Sequence, residues 1–124
     1  MDTEIGTTDE GYDTEESATL GVSVKRLVSR EVCERAVNHY GHKEQAGQAM
    51  EECGELITAL HKYFYRSGNF NHMRLAEEIA DVMIMCEQLN IILEKQGYGE
   101  MVEHAKIYKL QRLNRNIATD IIVG

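Results

Sequence analysis

Two stretches carry the pattern that decides the fold: QAGQAMEECGELITAL at residues 45–60 and LAEEIADVMIMCEQLNIIL at residues 75–93. In both, apolar residues recur every three or four positions, the spacing at which side chains of an α-helix share one face. The chain also contains no proline, a residue that breaks helix interiors. With no strand-like alternation long enough to build a sheet, the sequence predicts an all-α protein.

Outward from these stretches, turn residues divide the chain into four predicted helices, at about residues 24–39, 43–65, 73–95 and 100–117. A short apolar end follows at residues 121–123. The second and third helices are expected to be antiparallel and to pack through two apolar stripes. These stripes are Ala49, Cys53, Leu56, Leu60 and Phe64 on the second helix, and Leu75, Ile79, Val82, Cys86, Leu89 and Leu93 on the third.

Most of the net charge lies in one segment. The chain has 124 residues, enough for one domain, and a formal net charge of -8. Residues 1–16 hold seven acids and no base, whereas the rest of the chain holds 14 acids and 13 bases. Residues 1–20 are therefore predicted to be a disordered acidic tail, followed by a single domain at residues 21–124. The near-neutral domain does not favour a nucleic-acid polymer as its partner.

Cysteine usage and hydropathy indicate the compartment. The three cysteines show no Cys-x-x-Cys spacing, so reduced, buried thiols are predicted. The first residues lack the basic and apolar regions of a signal peptide, and no apolar run approaches the roughly 20 residues of a membrane span. A soluble, cytoplasmic protein is expected.

Each of the two central helices carries an acidic pair at the i, i+3 spacing: Glu52 with Glu55, and Glu78 with Asp81. Each pair borders its apolar stripe, so packing of the stripes would bring four carboxylates to one crevice. Two unit charges ~4 Å apart repel by about 4 kcal/mol at an effective dielectric of 20, which calls for protonation or a cation. Ligation by oxygen alone favours Mg²⁺ or Mn²⁺, and Mg²⁺ readily bridges phosphate oxygens. The alternative, two acidic pairs on solvated helix faces, remains open.

The order of these acids resembles a family signature. Glu-Glu-x-x-Glu at residues 51–55, a spacer of 22 residues, and Glu-x-x-Asp at residues 78–81 resemble the MazG-like nucleotide pyrophosphohydrolases. That family belongs to the all-α NTP pyrophosphatase superfamily, with the dimeric dUTPases and the phosphoribosyl-ATP pyrophosphohydrolases. The resemblance covers roughly residues 40–115.

The resemblance implies a four-to-five-helix bundle that hydrolyses a nucleoside triphosphate to the monophosphate and pyrophosphate. It implies Mg²⁺ held by Glu52, Glu55, Glu78 and Asp81, a catalytic role for Glu55 and Glu52 with Glu55 favoured as general base, and a supporting role for Glu51. It also implies a homodimer or homotetramer, in which a neighbouring subunit could complete the site.

Further polar side chains are candidates for substrate contacts. Lys and Arg recur on the last helix, where the alternative is a solvated basic face. Gln45 and Gln48 could reach a base or ribose, or equally form structural hydrogen bonds. The candidates are Gln45, Gln48, Lys62, Arg66, Lys109 and Arg112.

Three other functions are alternatives to a pyrophosphohydrolase. No histidine completes the Glu-x-x-His motif of di-iron helical bundles, so an iron-carboxylate oxidase is disfavoured. A dUTPase-type hydrolase of narrow base specificity stays open. So does a non-catalytic helical interaction module whose acids merely solubilise it.

Overall fold

The computed structural model describes residues 22–66, 68 and 71–123, and within them the side chains of residues 28–121. The described ranges form four helices and no strand: α1 (Val22–Tyr40), α2 (His42–Tyr65), α3 (His72–Lys95) and α4 (Met101–Val123). The predicted all-α class is confirmed. The predicted acidic tail at residues 1–20 lies outside the described residues.

The helix ends follow local chemistry. Gly41 and Gly97 both have a φ of 96°, a conformation that glycine adopts without steric cost. Gly41 lies between α1 and α2, and Gly97 follows the end of α3. Beyond Gly97, the N–H of Tyr98 donates to the carbonyl of Leu93 at 2.9 Å, the six-residue bond of a Schellman motif. The side chain of Asn71 caps α3 by accepting a backbone N–H of its first turn at 2.9 Å.

The last helix is longer than predicted. It continues to Val123, so the apolar segment at residues 121–123 is the end of α4 and not a separate tail. The physical reason is that residues 118–123 contain neither glycine nor proline, and nothing in the local sequence stops the helix.

The core is small and lies where α1 packs against the C-terminal half of α3. Cys33 and Val37 of α1 are buried against Ile91 and Ile92 of α3. Arg30 pairs with Glu94 at the edge of this contact, which holds the pKa of Glu94 below its ordinary value through the hydrogen bond from Arg30. This cluster attaches α1 to the antiparallel α2–α3 pair.

The cysteines are free thiols, but only one is buried. Burial raises the pKa of the Cys33 thiol to about 11, with a further contribution from the nearby negative charge of Glu87. Cys53 and Cys86 are exposed, so the prediction that they are buried is wrong. Both had been assigned to the apolar stripes of the central helices.

A buried pair of side-chain amides shows how α2 and α3 are aligned along their lengths. Nε2 of Gln45 donates to Oε1 of Gln88 at 2.7 Å, and both side chains are buried. Two turns further along α2 and two turns back along α3, Glu52 and Asp81 lie at the same level, and the charge of Glu52 raises the pKa of Asp81. Because a buried amide without a partner is costly, this pair favours the one register that satisfies both side chains.

The same register accounts for the unequal distances of the two acidic pairs from the interhelical turn. Glu55 stands opposite Glu78, although Glu55 is further from the end of α2 than Glu78 is from the start of α3. In this register, α2 continues about one turn past the level at which α3 begins. The asymmetry is therefore absorbed by the overhanging end of α2.

The two central helices are rotated relative to the predicted packing. Phe64 on α2 is 63% exposed and Ile79 on α3 is 42% exposed, although both were assigned to the core stripes. The buried residues are Gln45, Ala49 and Ala59 on α2, and Glu78, Met85, Gln88, Ile91 and Ile92 on α3. This rotation brings Gln45, Glu52 and Glu55 of α2 next to α3, where Gln45 contacts Gln88 and the two glutamates approach Glu78.

The fourth helix projects from the other three. Every residue of α4 from 101 to 121 is exposed, and the helix does not pack along α1, α2 or α3. Its apolar side chains are therefore uncovered. Among the described helices, none has an apolar stretch long enough to cross a membrane.

Candidate metal centre

Three of the four predicted ligands converge between α2 and α3. Glu52, Glu55 and Glu78 each offer a carboxylate oxygen, and these oxygens all lie within 4.8 Å of one another. Glu52 is half-buried, Glu55 is exposed and Glu78 is 4% exposed. The cluster thus opens to solvent on the Glu55 side and is closed at Glu78, which is a suitable geometry for a cation that approaches from solvent.

The fourth predicted ligand lies at the edge of the same cluster. Burial raises the pKa of Asp81, and the negative charges of Glu52 and then Glu55 raise it further, as does a hydrogen bond with Glu52. Asp81 is therefore near Glu52 and Glu55, although the three-oxygen cluster itself consists of Glu52, Glu55 and Glu78.

Glu78 is the acid whose environment most needs a cation. Its Oε1 is shielded from solvent and accepts no hydrogen bond, while its Oε2 forms an ion pair with Nε of Arg74 at 2.9 Å. Burial raises the pKa of Glu78; the charge of Arg74 opposes this shift, and Glu55, Asp81 and Glu52 reinforce it. An unpartnered, buried carboxylate oxygen that faces other carboxylates fits a hard divalent cation, which takes oxygen ligands.

These pKa shifts predict how the stability of the metal-free protein depends on pH. Because the folded state raises the pKa of Glu78 and Asp81, their contribution to stability is fully present below the ordinary carboxyl pKa. It is lost as the pH rises through the raised folded-state values. In chelator, the unfolding temperature of wild type should therefore fall more steeply than that of Glu78→Gln as the pH rises above the ordinary carboxyl pKa of about 4.3.

Thermal melts of both proteins, in chelator and in Mg²⁺, check this prediction. Comparison of the two proteins cancels the opposite contribution of Glu94, whose lowered pKa costs stability as the pH falls. With Mg²⁺ added, the excess slope of wild type should disappear. Parallel curves for the two proteins in chelator would contradict the account.

The glutamines near the site have different roles. Nε2 of Gln48 donates to Oε2 of Glu52 at 2.8 Å and so orients one ligand. Gln45 is buried and hydrogen-bonded to Gln88, so it forms a structural hydrogen bond between the helices. Glu51 is exposed and does not join the three-glutamate cluster.

The cationic candidates are divided between two regions. Lys62 lines a cavity beside Glu55, and the exposed Arg66 follows the last residue of α2. Lys109 and Arg112 are exposed on α4, which does not pack along either helix of the metal centre. Within the described part of one chain, these last two residues are not brought to the site.

The cavity adjoins the carboxylates at the end of the helix pair nearest the turn. Its volume is about 330 Å³, within the lower range of ligand sites. Glu55 belongs to both the cavity and the cluster, so the two are continuous. The other lining residues are Thr58, Ala59, Lys62, Tyr63, Asn71, Arg74 and Leu75.

Two polar features of the site were not predicted. Arg74 pairs with Glu78 and lies 3.9 Å from Oε1 of Glu55, and Tyr63 bonds with Nδ1 of His72 at 2.7 Å. The i, i+4 spacing of Arg74 and Glu78 is a sequence signal that identifies their ion pair. The contact of Tyr63 with His72 depends on the turn between the helices and has no comparable signal.

Comparison with known proteins adds no assignment. No protein-family model matches the sequence, and neither the curated proteins nor the solved structures contain a significant match. The function is therefore argued from the residues of the site.

Proposed function

We propose that this protein is a Mg²⁺-dependent nucleotide pyrophosphohydrolase of the MazG-like type, which cleaves a nucleoside triphosphate to the monophosphate and pyrophosphate. The observation that carries the proposal is the convergence of Glu52, Glu55 and Glu78, together with a buried Oε1 on Glu78 that has no hydrogen-bond partner. Mn²⁺ would suit the same all-oxygen ligands.

In the proposed reaction, Glu52, Glu55, Glu78 and Asp81 would hold the metal, and Glu55 would also take a proton from water. A bound Mg²⁺ would supply neutralisation of phosphate charge and would orient that water. The water oxygen forms a bond to the α-phosphorus while the bond to the bridging oxygen breaks, and pyrophosphate leaves with the electron pair. Glu55 suits the base because it is the most solvent-accessible of the three clustered glutamates and borders the cavity.

The cavity supports a polyphosphate substrate over a neutral one. Lys62 and Arg74 line the cavity together with Glu55, so a phosphate chain bound to a metal at Glu55 would lie near both cations. Negative phosphate oxygens would neutralise these cations, and the side-chain amide nitrogen of Asn71 offers a hydrogen-bond donor, whereas the Thr58 hydroxyl already donates to the carbonyl of Gly54. Most of the catalytic contribution in such chemistry is positioning and charge stabilisation, which this arrangement supplies.

A nucleotide panel tests the proposal. Wild-type protein would be incubated with each common NTP and dNTP, with Mg²⁺ or with chelator, and pyrophosphate release measured. We expect Mg²⁺-dependent release of pyrophosphate and not of single phosphate groups. Release from dUTP alone would favour the dUTPase-type alternative, and no release from any nucleotide would contradict the proposal.

We further propose that the protein works as a homodimer or homotetramer. A 23-residue helix with no tertiary packing is only marginally stable, yet the exposed α4 carries an apolar stripe at helical spacing, Leu110, Leu113, Ile117 and Ile121. Uncovered apolar side chains also line α2, including Met50 and Ile57. A second copy is the favoured occupant because the domain is nearly neutral and so does not repel itself.

Charged substitutions in the α4 stripe should dissociate this assembly. Burial of a Leu or Ile side chain contributes about 1.5–3 kcal/mol, so Leu113→Glu with Ile117→Glu is expected to yield a monomer where wild type is a dimer or larger. Light scattering coupled to size exclusion measures the mass. The control, Gln111→Glu with Thr119→Glu, adds the same two charges on α4 outside the stripe and should leave the mass unchanged. A monomeric wild type would refute this part of the proposal.

A further inference from the structure

Arg74 is the cation that neutralises the carboxylate cluster in the metal-free protein. Its guanidinium forms an ion pair with Oε2 of Glu78 on its own helix at 2.9 Å, and a longer one with Oε1 of Glu55 on the neighbouring helix at 3.9 Å. Within residues 28–66 and 71–121, no other Lys or Arg forms an ion pair with the four acids. Arg74 thus occupies the place that a divalent ion would need.

The metal and Arg74 cannot both use the same lone pairs of the glutamates. Ligation of Glu78 and Glu55 by a divalent ion would remove the ion-pair partners of Arg74 and place two cations side by side. Arg74 is free to move because its side chain is 60% exposed and sits on the first turn of α3. It also already lines the cavity that contains Lys62.

We propose that Arg74 exchanges partners: it pairs with Glu78 and Glu55 when the metal is absent, and binds the phosphate chain in the cavity when metal and substrate are present. This inference rests on the proposed metal centre and assigns a ligand to the adjoining cavity. A guanidinium suits both roles because its planar fork fits a carboxylate or a phosphate through two parallel hydrogen bonds. Lys62 provides the second cation for the phosphate chain.

The exchange predicts opposite effects of Arg74→Ala on two ligands. Removal of the competing cation should make Mg²⁺ alone bind about 2- to 5-fold more tightly, the range expected when an exposed ion pair is removed. Removal of a phosphate ligand should weaken binding of inorganic tripolyphosphate, measured in saturating Mg²⁺, by about 10-fold or more. Isothermal titration calorimetry measures both affinities without dependence on turnover.

Arg35→Ala is the matched control, since Arg35 is exposed on α1 away from the site and its loss changes the net charge equally. It should change neither affinity. If Arg74→Ala binds Mg²⁺ no more tightly than wild type, or binds tripolyphosphate as well, the exchange is wrong although the metal centre stands. If wild type itself binds no Mg²⁺, the proposed function fails together with the exchange.

Discussion

Glu55→Gln is expected to slow Mg²⁺-dependent pyrophosphate release by about 10²–10⁴-fold, the range for loss of a positioned general base. The substitution keeps the size of the side chain and one of its oxygens, but it replaces the other oxygen with an NH2 group and so removes the ability to accept a proton from water. Glu55 is exposed and lies between the cluster and the cavity, so the fold should tolerate the change. The measurement is the steady-state rate with the best nucleotide of the panel at saturating Mg²⁺.

The control is Glu51→Gln, the same chemical change on the same helix. Glu51 is exposed and lies outside the three-glutamate cluster, so its rate should stay within a few-fold of wild type. Asp81→Asn provides a second test at the edge of the cluster and should also lose most of the activity. Pyrophosphate release unaffected by both Glu55→Gln and Asp81→Asn would count against the assigned site.

Glu78→Gln is expected to raise the stability of the metal-free protein while it weakens Mg²⁺ binding. The substitution removes a buried charge that is close to two other glutamates, and it leaves the exposed Arg74 free to be solvated. As a ligand, however, an amide cannot replace the negative oxygen. Loss of residues that merely support metal ligands reduces affinity 10- to 100-fold, and loss of a ligand should cost at least about as much.

Thermal melts in chelator and calorimetric titration with Mg²⁺ measure the two effects on the same samples. Glu77→Gln is the matched control, because Glu77 is the exposed neighbour on α3 and contributes no oxygen to the cluster. It should leave metal affinity near that of wild type. A Glu78→Gln protein that is less stable in chelator and binds Mg²⁺ normally would indicate a purely structural carboxylate.

The helices and the acidic cluster could be predicted from the sequence because both depend on local sequence signals. Three of the four helices begin and end within two residues of their predicted bounds, because Gly41 and Gly97 stop helices through their own conformation. The i, i+3 spacing placed each acidic pair on one face, and antiparallel pairing of α2 and α3 brought the two faces together. Neither step depends on details of packing.

The rotation of α2 against α3 could not be predicted from local sequence signals. Apolar periodicity favoured Cys53 and Phe64 for the core, whereas the structure buries Gln45 and Glu78. The choice depends on a hydrogen bond between Gln45 and Gln88, two residues far apart in the chain that only the folded register brings together. Sequence periodicity counts apolar faces and does not detect a satisfied polar pair.

The end of α4 and the position of its basic residues could not be predicted from the sequence for a different reason. Lys109 and Arg112 are candidates for substrate contacts because Lys and Arg recur on the last helix, but α4 does not pack along α2 or α3 and both residues are exposed. Helical propensity determines that α4 forms and says nothing about its neighbours. In the proposed oligomer, a second copy would decide where these cations lie.

Titration of the wild-type protein with Mg²⁺ tests the central claim most directly, namely that Glu52, Glu55, Glu78 and Asp81 chelate one kind of divalent ion. The account predicts saturable binding in calorimetry and, at Mg²⁺ about 100-fold above the dissociation constant, about 2.7 kcal/mol of added stability. For a domain of this size, the unfolding temperature should rise by roughly 10 °C or more. The double variant Glu55→Gln/Asp81→Asn should lose both signals. A wild-type protein that takes up no Mg²⁺ and melts at the same temperature with and without it would contradict the account.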